Sequence, residues 1–304
     1  MTPERHANLF ATVLTYAAPS SNYRGESEEN RIVLQKITKG GHEYTVISPE
    51  SMRNALREIL ATYGLPMNRR RLHQEDQLAV ELASFPSADE YADDFLMGFM
   101  VADSDAIAKN RGKPPKRDSV LRMNMAVALQ PYRFDATLHQ SPLHKNSPWK
   151  NAATSALIHR EVAHTAYQYP FALSMADCLK EETREKGKRW TAALLHAIGE
   201  LSGVAGGHAR AYFEMAPRSV VARLTPRLVA GFDTYGFDEQ GRFPELARVK
   251  ADDLPGAEIW VGGEIVRKMT EDERERLKGQ GAHLFENPQA LLREIGAAAL
   301  GERW

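Results

Sequence analysis

The chain has 304 residues and a mass of 34.0 kDa, with 43% hydrophobic and 26% charged residues. These are the proportions of an ordinary globular protein, and they exclude collagen-like, disordered and disulfide-stapled classes. The single cysteine, Cys178, excludes an intramolecular disulfide, no run of about 18 uncharged apolar residues is present, and no apolar core follows Met1–His6. A soluble, cytoplasmic protein without a membrane partner is therefore expected.

In chain order, Leu9 to Ala17 is apolar and β-branched enough for a buried strand. A polar loop runs from Ser20 through Glu26 towards Lys39-Gly40-Gly41. The clearest helix follows. Ser48 suits the N-cap, Pro49 the first helical position and Glu50 the positive end of the helix dipole. Met52, Ala55, Leu56, Ile59, Leu60 and Tyr63 form one apolar stripe, and Gly64 is a stop. Arg53 and Arg57, four apart, are expected side by side on the flank of that stripe.

Residues 65–94 are charged and read as an irregular insertion, and Phe95 to Val101 as a strand. Leu121, Met123, Met125, Val127 and Leu129 alternate with Arg122, Asn124, Ala126, Ala128 and Gln130, which predicts one half-buried strand. Tyr167, Tyr169, Phe171 and Leu173 alternate likewise, with Pro170 marking an edge or a bulge. Trp190, Leu194, Ala197, Ile198 and Leu201 share one face of a second helix, which ends in Gly203–Gly207. Arg210 to Glu214 and Ser219 to Leu224 suit strands, Thr270 with Glu273 makes a capping box, and Asn287-Pro288 opens a last helix. The succession of strand, helix, strands, helix and strands predicts an α+β fold built on a βαββαβ unit, ferredoxin-like or of RNA-recognition type, with extra lobes.

Catalytic signatures are missing. There is no dinucleotide or phosphate-binding glycine loop, no H-E-x-x-H and no G-x-S-x-G. One cysteine cannot build a thiolate zinc site, and His139, His144, His159 and His164 are spaced five, fifteen and five apart, off any common helix face. No metal and no cofactor is expected. The positive signals concern phosphate. The N-terminus of the first helix, with Ser48, Ser51, Arg53 and Arg57, offers amides and guanidinium groups. The loop through Gly206-Gly207-His208 permits close backbone approach, with Arg210 able to close over a ligand. Charge is also unevenly placed. Residues 102–160 carry ten basic and four acidic groups, net +6, whereas 64–101 and 251–304 are each net -4. The basic, proline-rich arm with Lys116, Arg117 and Arg122 is thus expected to be a phosphate-binding strip, and the acidic stretches surfaces for a neighbouring subunit.

Taken together, Asn30-Arg31 through Lys36-Ile37, the run Tyr44 through Glu58, Leu121-Arg122 to Tyr132, Tyr167 to Phe171 and Gly206 to Pro217 resemble, in order, the DevR-like backbone subunit of type I CRISPR Cascade complexes. That subunit is a hand-shaped member of the RAMP superfamily, here of an I-B-like subtype, and the resemblance spans roughly residues 8–225. It implies a modified ferredoxin-like palm over 1–304, a finger-like insertion at 65–94, a basic thumb-like insertion at 102–160 and an acidic C-terminal extension with two helices at 251–304. It also implies a non-catalytic subunit that polymerises along the CRISPR guide RNA and supports pairing with target DNA. The partners implied are further copies of the chain, a repeat-handle-binding subunit, a large subunit and a processing endonuclease, with a nuclease-helicase or a transposition adaptor downstream. The RNA-binding set expected is Asn30, Lys36, Ser48, Ser51, Arg53, Arg57, Lys116, Arg117, Arg122, Gly206, Gly207, His208 and Arg210. Two other readings stand beside it: a RAMP-superfamily endoribonuclease acting on precursor guide RNA through a histidine such as His42, and a small-molecule enzyme, which the missing motifs disfavour.

Overall fold

The computed structural model describes residues 7–20, 27–28, 31–74, 77–140, 157–180, 183–204 and 214–301. The elements used below, numbered along the chain, are β1 (Asn8–Thr15), β2 (Lys36–Lys39), β3 (His42–Ile47), α1 (Pro49–Thr62), β4 (Arg69–Gln74), β5 (Gln77–Leu82), α2 (Ala92–Met97), β6 (Leu121–Met123) and β7 (Ala126–Ala128). They continue with β8 (Ala136–Gln140), β9 (Leu157–Glu161), β10 (Tyr167–Ser174), α3 (Arg184–Gly199), β11 (Pro217–Thr225), β12 (Ile259–Gly263), α4 (Glu271–Gly279), β13 (His283–Phe285) and α5 (Pro288–Leu300).

A nine-stranded sheet organises the chain, in the order β13-β12-β11-β1-β10-β7-β3-β2, with β6 also paired to β10. All of its pairs are antiparallel except β12 with β13. Alternation along β1 sends Leu9, Ala11 and Val13 to one face and Leu14 to the other, and each face has its own core. On the first face, α1, α2, α3 and α5 cover the strands, with Leu56, Phe95, Trp190 and Leu292 among the buried side chains. Each such side chain contributes roughly 1.5–3 kcal/mol by leaving water. On the second face, Leu14, Val221 and Val261 pack under Phe232, Phe237, Phe243 and Leu277. Residues 226–300 therefore cover one half of the sheet, widen it by two strands and close its other face with α5. The acidic stretch 251–304 carries the long helices α4 and α5, and its strands are part of the central sheet.

The first helix forms as expected: Ser48 caps α1 by accepting the Ser51 N–H at 3.2 Å, and Gly64 leaves it at φ +76°. Three expectations are corrected. Phe95 to Val101 is not a strand, because Ala92–Met97 is a buried helical turn and a half, followed by a two-residue strand at Phe99–Met100. A short apolar run serves a buried strand or a buried helix equally, and two side-chain anchors settle the matter. Asp93 takes the N–H groups of Asn68 (2.8 Å) and Arg69 (3.0 Å), and Asp94 takes Ser87 N–H (3.0 Å). The stretch 65–94 is likewise not irregular, since β4 and β5 pair as a hairpin whose base is tied to those aspartates.

The third correction concerns 121–130, which is two strands. Leu121 and Met123 stand opposite Leu173 and Phe171, whereas Val127 and Ala128 stand opposite Gln168 and Tyr167. One extra residue is accommodated between them, so Ala126 and Ala128, not Val127 and Leu129, continue the first face. Pro170 lies across from the bulge. Its carbonyl accepts Asn124 N–H at 3.2 Å, and its nitrogen, directed to the same side, has no hydrogen to give the ladder.

Candidate nucleic-acid interface

Of the two arginines of α1, Arg57 is buried and Arg53 half-buried. Arg57 is only 8% exposed, donates to Asn54 Oδ1 at 2.8 Å and lies 3.6 Å from Asp93 Oδ2. Burial pushes its guanidinium down to about 10, which still leaves it charged at neutral pH. Arg53 is half-buried and donates from Nη2 to the Leu121 carbonyl at 3.1 Å, tying α1 to β6; burial lowers its pKa as well. Ser48 is spent on the cap, donating its hydroxyl to Ser51 Oγ at 3.1 Å. Arg53 and Arg57 thus also fasten the helix, Arg53 to β6 and Arg57 to Asp93 of α2.

Lys36 is also engaged. Its Nζ meets Glu161 Oε2 at 3.1 Å and lies 4.4 Å from the centre of the Tyr132 ring. Burial alone would raise the Glu161 pKa, but the Leu34 N–H and Lys36 hold it below the usual carboxylate range. This junction roots the hairpin β8–β9, which pairs through β9 with Arg31–Ile32. In that hairpin's register, Leu138 and Leu157 fall on the face shared with Glu161, and both are exposed, 58% and 50%. Apolar side chains exposed in this way on a small sheet contribute nothing to its own core.

The basic arm divides in two. Arg117 turns inward, donating from Nη1 to the Phe95 carbonyl at 2.6 Å with its guanidinium 4.9 Å from the Phe95 ring. Lys109, Arg111, Lys113 and Lys116 are exposed and form no ion pair among the described residues. Arg122 is exposed on β6, 3.9 Å from Asp177. Lys116 and Arg122 are therefore the expected contacts that present their charge to solvent. His42 is exposed at the start of β3, opposite Lys39 in a tight hairpin. Asn30, Gly206, Gly207, His208 and Arg210 and the expected strand from Arg210 lie outside the described residues. Among the described residues no cluster of three or more His, Cys, Asp or Glu is placed to hold a metal ion, and no helix is long and apolar enough to cross a membrane.

Sequence reasoning missed Tyr44 and Tyr235, which line a groove beside the β2–β3 hairpin. Tyr44 stands in the strand leading to Ser48, but Tyr235 arrives from about 190 positions further along, and no local signal joins them.

No family model matches the chain. The CRISPR-associated protein Cas7/Cst2/DevR of Myxococcus xanthus (strain DK1622) is 34% identical over 293 residues, which span 91% of this chain and 93% of that protein. In fold the chain is similar to a chain of a CRISPR RNA-guided surveillance complex in a pre-nicking state, with a TM-score of 0.64 at 12% identity over 96% of this chain and 100% of the other. A chain of another CRISPR RNA-guided surveillance complex gives a TM-score of 0.56 at 15% identity, over 96% and 99%. With the relative this similar along nearly its whole length, and the α+β architecture shared, the chain belongs to the Cas7/Cst2/DevR family of CRISPR-associated proteins.

Proposed function

We propose that this chain is a non-catalytic, guide-RNA-binding backbone subunit of a type I surveillance complex, several copies of which line one guide and support its pairing with target DNA. The observation that carries the reading is the similarity to a Cas7/Cst2/DevR protein over 91% of the chain. The strand order supports a palm. Taken in chain order, β1, β6/β7, β10 and β11 are first to fourth, and they lie in the sheet as fourth, first, third, second, with α1 and α3 on one face. In this reading β4–β5 is the finger, β8–β9 the stem of the thumb, and its exposed leucines the surface that meets RNA bases or the next copy. Lys116 and Arg122 contact phosphate directly, with Asn30, Gly206, Gly207, His208 and Arg210 completing the path. Lys36, Ser48, Ser51, Arg53, Arg57 and Arg117 hold that surface in place. The other partners are a repeat-handle-binding subunit, a large subunit and a processing endonuclease.

The test is to purify the chain with a repeat–spacer RNA and follow both binding and integrity of that RNA. Uncut RNA is expected, bound without preference for the spacer. A log-log salt slope of about -2 per copy is expected if each neutralises about three phosphates of a single strand. A slope near zero, or cleavage that His42→Ala abolishes, contradicts the reading.

A further inference from the structure

We infer that the groove between the β2–β3 hairpin and the loop 233–239 is a binding site for a linear aliphatic polyamine, a small molecule whose ammonium groups are joined by methylene chains. The groove has a volume of about 530 Å³, within the roughly 300–1,000 Å³ of small-molecule sites. One wall is the hairpin, where Tyr44 stands opposite Ile37, and the other is the loop, which brings Tyr235 and Phe237. Met125, Val127 and Leu129 add apolar surface from β7 and its flanks. The loop wall is fixed before any ligand arrives. Gln168, 5% exposed, donates from Nε2 to the Phe237 carbonyl at 3.2 Å and accepts Phe237 N–H on Oε1 at 3.1 Å. The Tyr235 hydroxyl donates to the Met125 carbonyl at 2.8 Å.

Charge follows the chain order of the loop. Asp233 and Glu239 bracket Tyr235 and Phe237, and both are exposed and form no ion pair among the described residues. Asp238, beside Glu239, is held by Arg242 at 2.8 Å. Lys39, on the hairpin wall, is the one cation among the described lining residues, and it turns a positive ligand towards the loop. Aromatic faces attract ammonium groups, and methylenes cover an apolar wall while the charge they carry stays at the rim. A single cation can meet only one of the two free carboxylates. A molecule with two cations and methylenes between them meets both, with its stem across the rings. A hydrated divalent metal ion reaches the carboxylates but leaves the apolar wall uncovered. The pattern of acid, two rings and acid therefore selects a polyamine over a metal ion and over one lysine side chain.

Calorimetric titration of the whole chain, freed of RNA that would itself take up the probe, tests the site. Spermidine is expected to saturate at one molecule per chain, more weakly as salt rises. The variant Asp233→Asn with Glu239→Gln keeps an acceptor for the Tyr235 N–H that Asp233 receives at 2.8 Å. It is expected to melt like the unaltered chain and to bind spermidine roughly tenfold more weakly, through the loss of two exposed ion pairs. Magnesium and N-acetyl-lysine amide are each expected to displace spermidine only at concentrations roughly tenfold higher or more. Titration that does not saturate, a variant that binds as tightly as the unaltered chain, or displacement by equal magnesium overturns the site. Displacement by equal N-acetyl-lysine amide overturns the polyamine and assigns the groove to a lysine of a partner protein. No guide RNA enters these measurements, so their failure leaves the functional reading above where it stands.

Discussion

The first turns of α1 and the arm between α2 and β6 are both rich in cations, and they use them in opposite ways. Arg53 and Arg57 point into the body, where a carbonyl of β6 and the carboxylate of Asp93 receive them. Lys109, Arg111, Lys113 and Lys116 point out, with no ion pair among the described residues. The difference lies in what surrounds each group. An arginine on an amphipathic helix lies against an apolar layer and is retained there only with partners, whereas the short helix Ser104–Lys109 buries none of its residues and the turn after it has no layer to enter. Charge count alone does not tell a fastening from a contact surface. What tells them apart is whether the segment carrying the charge is itself packed.

The largest expected effect breaks the fastening. Arg57→Ala leaves the buried Asp93 without its cation and is expected to cost about 3–5 kcal/mol, read as a lower urea midpoint. The folded fraction should keep its affinity for RNA. Normal stability together with a loss of RNA binding would instead return Arg57 to the RNA surface.

Acid should act next. Arg218 holds Glu264 through hydrogen bonds of 2.6 and 2.7 Å and keeps its carboxyl down at about 2, against an ordinary 4.5. A carboxylate depressed in the folded state stabilises the fold fully above its unfolded value, and that contribution is lost as pH falls from about 4.5 through about 2. Thermal melts across this range should therefore fall more steeply for the unaltered chain than for Glu264→Gln. Parallel curves would show that the clamp contributes nothing.

Smaller effects are expected on the outward side. Leu138→Asp with Leu157→Asp should shift stability by no more than about 0.5 kcal/mol, because both side chains are already in water. The same pair should lower the yield of multi-copy complexes, read by light scattering. Smallest of all, Lys116→Ala with Arg122→Ala should leave the melt unchanged and reduce the salt slope by about 0.7 for each phosphate no longer neutralised. An unchanged slope would remove both from the RNA path.

Much of the frame was legible from local pattern. The cap at Ser48, the stripe of α1, the alternation of β10 and the capping box at Thr270 are written within a few residues each, and the structure contains them all. The errors share a cause. Whether Phe95–Met97 is helix or strand depends on Asn68 and Ser87, both outside the apolar run itself, and the bulge after Met123 depends on Pro170 in the neighbouring strand. The site was less legible for the same reason. Lys36, Arg53, Arg57 and Arg117 have the composition of phosphate ligands, but Glu161, Leu121, Asp93 and Phe95 take them, and only the tertiary fold makes those partners neighbours.

The central claim is that copies of this chain line a guide RNA, and the most direct measurement is the mass of the complex on guides of increasing length. A backbone subunit predicts a stepwise rise, one further copy for each fixed increment of nucleotides, independent of spacer sequence. A mass that stays at one copy whatever the length of the guide would contradict the account.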